Sequence, residues 1–212
     1  MVYNQIKNMN EGTLTDKIKS NFSETGRILK AIAGAETKKI IEAGKMMADA
    51  FNRGGKVLVC GSGGSAADAQ HFVAEFIGRF YEERESLPAI ALSVDPSVVT
   101  ALGNDYGFAS VFSRQVEGLG RTGDILVAIS TSGKSANILQ AIETAKTKKM
   151  KVIVLVGAYI DDKIRSSDLV FSVPSGDTPR IQEVHMAILH SICEATEKLN
   201  DNLKHGQDSK NR

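Results

Sequence analysis

The chain has 212 residues, of which 42% are apolar and 24% charged, with a formal net charge of +1. This suits one packed domain with added helices, and the near-neutral balance argues against nucleic acid or an anionic membrane surface as a partner. No apolar run approaches a membrane span, and the opening MVYNQIKNMNEG lacks the basic start and apolar core of a secretory signal. Cys60 and Cys193 have no metal-ligand or redox spacing, so buried thiols in a cytoplasmic protein are expected.

From about Leu14 to Phe51 the apolar spacing is helical: Leu14, Ile18 and Phe22, then Ile28, Leu29 and Ile32, then Ile40, Ile41, Met47 and Phe51. These predict N-terminal helices over about 1–53, ended by Arg53-Gly54-Gly55. A continuous apolar strand, Lys56 to Cys60, follows. Four more are predicted at Ala89 to Leu92, Ile125 to Ile129, Val152 to Val156 and Leu169 to Val173, with helical stretches between them. Apolar strands alternating with helices predict a five-stranded parallel sheet in a three-layer α/β/α sandwich of flavodoxin-like type. A long helix from about Pro179 to Leu203 closes the pattern, before a polar tail over 205–212. With no linker, internal repeat or low-complexity tract, 1–212 reads as one domain with its ligand-binding core at about 54–204.

Two loops follow strands and precede helices. In Gly61-Ser62-Gly63-Gly64-Ser65 the glycines allow close backbone approach, and the next helix offers unpaired N–H groups to an anion. Gly61-x-Gly63-x-x-Ala66 loosely fits a dinucleotide fingerprint, but the acidic residue that motif needs, Asp95, comes late after its strand. A sugar phosphate is the better ligand. In Ser130-Thr131-Ser132-Gly133-Lys134-Ser135, hydroxyls and amides at a helix start can encircle a phosphate. It is not a P-loop, because Ala128 stands where the first glycine belongs. Either loop alone could be a helix cap and a tight turn. Two of them at the C-terminal ends of parallel strands point to ligand binding.

His71 and Glu75 lie one helical turn apart behind the first loop, so an imidazole and a carboxylate share a face. Such a pair can hold a divalent ion, and the carboxylate can move a proton. Further candidates, Gln182, Glu183, His185 and His190, lie in the last helix. Spacing alone pairs Gln182 with His185, whereas Gln182 and His190 stand roughly 12 Å apart along the axis and about 80° around it. On spacing, the choice between His185 and His190 stays open. Asn104 and Asp105, in Gly103-Asn104-Asp105-Tyr106-Gly107, read as a helix end and turn.

The strings GSGGSAADAQHFVAE, LPAIALS, GNDYGF, VFSRQVE, ISTSGKS and RIQEVH resemble the phosphoheptose isomerase family of sugar isomerase (SIS) domains, from about Lys56 to Leu199. The resemblance implies isomerisation of sedoheptulose 7-phosphate to D-glycero-D-manno-heptose 7-phosphate in bacterial heptose and lipopolysaccharide precursor synthesis. It also implies a homotetramer built with the N-terminal helices, with active sites at subunit interfaces. Metal binding, usually zinc, falls on His71, Glu75, Gln182 and His190, and proton transfer on Glu75 and His190. Substrate contacts fall on Ser62, Gly63, Gly64, Glu75, Asn104, Asp105, Ser130, Thr131, Ser132, Ser135 and Gln182, leaving His185 to packing or to support of the site. One position departs from the pattern: the family usually has Asn where this chain has Ser62, a shorter hydrogen-bonding group. Two non-catalytic alternatives share the architecture, a factor that binds the replication initiator and a sugar-phosphate sensor. The initiator-binding relatives lack equivalents of Glu75 and His190, so their presence here favours an enzyme.

Overall fold

The computed structural model describes residues 10–200. It begins with α1, Glu11–Asn52, whose N-cap Asn10 accepts a hydrogen bond from the Thr13 amide at 2.9 Å. The apolar stripes predicted for separate N-terminal helices lie, among the described residues, on this one helix. No proline interrupts it, and its internal glycines only weaken it. At about 1.5 Å per residue it is roughly 60 Å long. Ile28, Ile32, Met47 and Phe51 are buried, whereas Leu14, Ile18 and Phe22 are exposed. Its C-terminal half lies so close to the last helix that a Cβ at Gly44 would meet the Ala195 Cβ at 2.5 Å.

The sheet follows: β1 (Val57–Gly61), α2 (Gly64–Ile77), β2 (Ala89–Ala91), α3 (Pro96–Tyr106), a 3-10 turn (Phe108–Ser110) and α4 (Val111–Leu119). Then come β3 (Ile125–Ser130), α5 (Ala136–Thr147), β4 (Lys151–Val156), α6 (Asp162–Arg165), β5 (Leu169–Ser172) and α7 (Thr178–Leu199). All five strands are parallel in the order β2-β1-β3-β4-β5. The predicted strand positions agree to within a residue or so. The predicted last turn to Leu203 and the polar tail fall outside the described residues.

Strand alternation builds two cores. Val57, Val59, Ile125, Val127, Ile153 and Leu155 face one layer, with α1, α2 and α7. Leu58, Cys60, Leu126, Ala128, Val152 and Val154 face the other, with α4 and α5. Both faces are covered, which explains why these strands are apolar throughout. At the bottom of β1 and β3, the buried Asp124 carboxylate accepts from the Lys56 amide (2.9 Å), Lys56 Nζ (2.6 Å) and the Arg121 amide (2.8 Å). The strand order reverses between β1 and β3, so their C-terminal ends open a crevice suited to a ligand.

Candidate active site

Helices α2 and α7 run side by side in the same direction. Gly64 faces Gln182, His71 faces His190, and the chain just past α2 faces Glu197. Helical periodicity sets the first half of the site: His71 Nε2 lies 3.0 Å from Glu75 Oε1, one turn on. Packing supplies the second half. His190 Nε2 lies 3.2 Å from His71 Nε2 across 119 residues of sequence, with the rings edge to face at 4.9 Å. Ligand atoms of His71, Glu75 and His190 all lie within 4.8 Å of one another. Two imidazole nitrogens and a carboxylate oxygen at such spacing fit a divalent ion of the zinc type. The His71 side chain is 50% exposed, so in a single chain the cluster opens to solvent.

Both predicted anion loops sit at the C-terminal ends of adjacent strands, β1 and β3. Gly63 adopts φ 60° as N-cap of α2, and no side chain caps that helix. Ser135 is the N-cap of α5, also without a side-chain cap bond. The first amides of both helices can face an anion, although in α5 the Ile138 amide already donates to Asn137 Oδ1 at 2.9 Å. Within the second loop, Ser130 Oγ accepts from the Gly133 amide and Ser132 Oγ from the Lys134 amide, each at 3.2 Å. Ser135 Oγ stands 3.5 Å from both serine hydroxyls. Ser62 Oγ accepts from Asn137 Nδ2 at 3.0 Å, which ties the two loops together.

Other predicted site residues lie apart from the His71 cluster. The Gln182 carboxamide packs on Gly64, two turns before His71 on α2. Gly64→Ala would drive a Cβ to 2.3 Å from Gln182 Nε2, a flexible tip that can move aside. We expect that variant to fold with unchanged thermal stability, within about 1 kcal/mol, while kcat/KM falls about tenfold if Gln182 serves the reaction. Asn104 and Asp105 occupy the last turn of α3 and are hydrogen-bonded to each other at 2.8 Å. Leu102 on that helix packs with the core layer opposite α2 and α7.

His185, the partner that spacing alone favoured for Gln182, is fully buried under the sheet. Burial pushes its ring down to about 4, the Val156 backbone countering only in part. Its folded value is thus below the ordinary 6.5, so the unfolded chain takes up a proton between about pH 6.5 and 4 that the folded chain refuses. Stability should fall as pH drops through that window, by about 2 kcal/mol between pH 7 and 5 for this one group. Urea unfolding at both pH values checks this, and His185→Leu should flatten the difference.

Two polar residues escaped the sequence reading. Asp68 is three residues before His71 on the same face of α2, with Oδ2 buried and, among the described residues, without a hydrogen-bond partner. Burial pushes its carboxyl up to about 6, with His71 partly opposing, so it keeps its proton to a higher pH than an ordinary aspartate. The Asp68-His71-Glu75 spacing of three and four was the available signal. Asn137 is buried in the first turn of α5. Nothing local marks it, because its role depends on β1 and β3 lying side by side.

Comparison with known proteins identifies the family. The SIS domain family profile matches residues 21–157. A phosphoheptose isomerase of Neisseria meningitidis serogroup C is 45% identical over 190 residues, covering 88% of this chain and 96% of that protein. The one from Citrifermentans bemidjiense is 48% identical over 182 residues, covering 86% and 95%. The solved structure of a phosphoheptose isomerase from Francisella tularensis superposes with a TM-score of 0.84 at 42% identity, covering 88% of this chain and 99% of that one. A fold shared at this identity and coverage leads to one assignment: the chain belongs to the SIS-domain family and, within it, to the phosphoheptose isomerases, which are sugar-phosphate isomerases.

Proposed function

We propose that this chain converts sedoheptulose 7-phosphate to D-glycero-D-manno-heptose 7-phosphate, a step toward bacterial heptose and lipopolysaccharide precursors. The observation that carries the reading is the convergence of His71, Glu75 and His190 on a fold whose crevice presents two helix starts. The hydroxyl-rich loop Ser130, Thr131, Ser132 and Ser135 would take the 7-phosphate. Ser62, Gly63, Gly64 and Gln182 would meet the sugar chain, and Asn104 and Asp105 its hydroxyls. Binding the distant phosphate aligns the reacting carbons at C1 and C2.

The Glu75 carboxylate removes a proton from C1 while His190 delivers one to the C2 oxygen, giving the enediol. His190 then takes the proton from the C1 oxygen and Glu75 returns one to C2. Both groups end in their starting protonation states. His71, Glu75 and His190 would hold a zinc-type ion, which polarises the carbonyl when bound, and Gln182, two turns away in one chain, would complete its donors from a neighbouring subunit. We expect exhaustive chelation to suppress turnover and added zinc to restore it. Full activity in protein shown by elemental analysis to be metal-free would remove the ion from the reaction.

The assembly part of the proposal is a homotetramer of this chain in the cytoplasm. Three features support association of copies of the chain. The cluster is open to solvent in one chain, although an enediolate needs shelter from water. Asn104 and Asp105 end a helix whose Leu102 packs in the other core layer. The exposed Leu14, Ile18 and Phe22 stripe and an open apolar groove of about 530 Å³ between α1 and α7, lined by Leu29, Ile32, Ile41 and Ile188, leave apolar surface to cover. Among the described residues no helix is long and apolar enough to cross a membrane.

The test is an isomerase assay with sedoheptulose 7-phosphate, followed by phosphorus NMR. Appearance of the aldose phosphate supports the substrate. A folded, zinc-loaded protein that forms none would exclude it.

A further inference from the structure

The turn between α2 and β2 is rich in charge: Arg79, Glu82, Glu83, Arg84 and Glu85 all fall within seven residues. Yet one pair from this region is almost wholly buried. Arg84 Nε lies 2.8 Å from Glu197 Oε1 on α7, and their side chains are only 2% and 1% exposed. Every polar atom of the pair is engaged. The Glu197 carboxylate accepts from three successive amides, Phe80 (3.1 Å), Tyr81 (2.9 Å) and Glu82 (3.1 Å). The Arg84 guanidinium donates to the carbonyls that end α2: Glu75 at 2.6 Å, Phe76 at 2.8 Å and Gly78 at 3.3 Å. A further bond reaches Glu85 O at 3.1 Å.

A buried ion pair is a poor source of net stability, because desolvation cancels much of its attraction. What a saturated pair does supply is a unique backbone path. Here that path ends on the candidate site. The Phe80 ring is tilted against His190, centroids 5.6 Å apart, on the imidazole that also meets His71. Arg84 holds the carbonyl of Glu75 itself.

We propose that Arg84 and Glu197 are positioning residues: the turn they lock seats Phe80 against His190 and anchors the last turn of α2 at Glu75. This rests on the reading above that Glu75 and His190 exchange the protons. Neither Arg84 nor Glu197 touches substrate in this scheme. They act through Phe80 and the α2 backbone, so their loss should appear in kcat rather than in phosphate binding, which depends on the distant β1 and β3 loops.

The experiment compares Arg84→Met, Glu197→Gln and Phe80→Leu with wild type by kinetics and by NMR of the His190 ring protons in the metal-free protein. The Phe80 ring current marks those protons in wild type, and Phe80→Leu defines the signal without it. We expect Arg84→Met and Glu197→Gln to move the His190 signal toward the Phe80→Leu position. Turnover should fall about 100-fold, as for a catalytic group misplaced by about an ångström, with KM changed less than about threefold. Folded Arg84→Met with the wild-type His190 signal and wild-type kcat would overturn the proposal. Should that variant not fold, Phe80→Leu decides by kinetics, since it leaves the ion pair intact: an unchanged kcat would overturn the proposal equally. The NMR readout needs no turnover. If wild type fails to isomerise the heptulose phosphate, the functional reading falls while a His190 shift in Arg84→Met still supports the positioning role.

Discussion

Glu75→Gln is expected to lower kcat by about 1,000-fold or more while KM changes only a fewfold. General base catalysis contributes roughly 100- to 10,000-fold, and here the same carboxylate both removes and returns the carbon-bound proton. The amide is nearly isosteric and its oxygen can still accept from His71 Nε2, which lies 3.0 Å from Oε1. Neither the helix nor the phosphate loops should move. Steady-state kinetics, together with deuterium exchange from solvent into C1 and C2, would check this. Exchange and turnover near wild-type values would remove Glu75 from the proton transfer and leave His190 or Asp68 to carry it.

Gly133→Ala should damage the other end of the site. Gly133 sits at φ 67°, and a Cβ there would fall 2.3 Å from the Tyr159 carbonyl oxygen and 3.0 Å from Val156 Cγ2. The left-handed backbone alone costs an L residue about 1–2 kcal/mol, and overpacking adds a comparable amount. Because the obstacle is backbone, relief requires the loop itself to shift. That shift would break the bond from the Gly133 amide to Ser130 Oγ, one of the contacts that shape the hydroxyl ring. We expect about 2–4 kcal/mol less stability in urea unfolding, and a KM raised at least about tenfold, with kcat less affected. A destabilised variant with wild-type KM would place phosphate binding away from this loop.

The contrast between these two sites shows what a sequence reveals. Runs such as Val57-Leu58-Val59-Cys60 and Val152-Ile153-Val154-Leu155 are apolar at every position because both faces of the sheet are covered, so a parallel, doubly wound sheet was legible before any coordinates. The glycines and hydroxyls of both loops were legible too, since helix starts and tight turns demand those residue types locally. The N-terminal region was read only in part. Its apolar stripes were evident, but the single helix carrying them, with Leu14, Ile18 and Phe22 left exposed, depends on where the core ends.

By itself the sequence determined whatever a helix or strand decides within its own length: the strands, the two loops, and the pairing of His71 with Glu75 across one turn. The tertiary structure decided which side of each helix meets which neighbour. On α7, spacing favoured His185 beside Gln182, but docking turns His185 into the core and carries His190 to His71. The same docking leaves Asp68 Oδ2 buried and, among the described residues, unpartnered, joins Asn137 to Ser62, and draws Arg84 and Glu197 into a buried pair across 113 residues. The physical reason is that helical periodicity sets angles around one axis, whereas contacts between elements depend on the best burial of apolar surface over the whole molecule, which no local window contains.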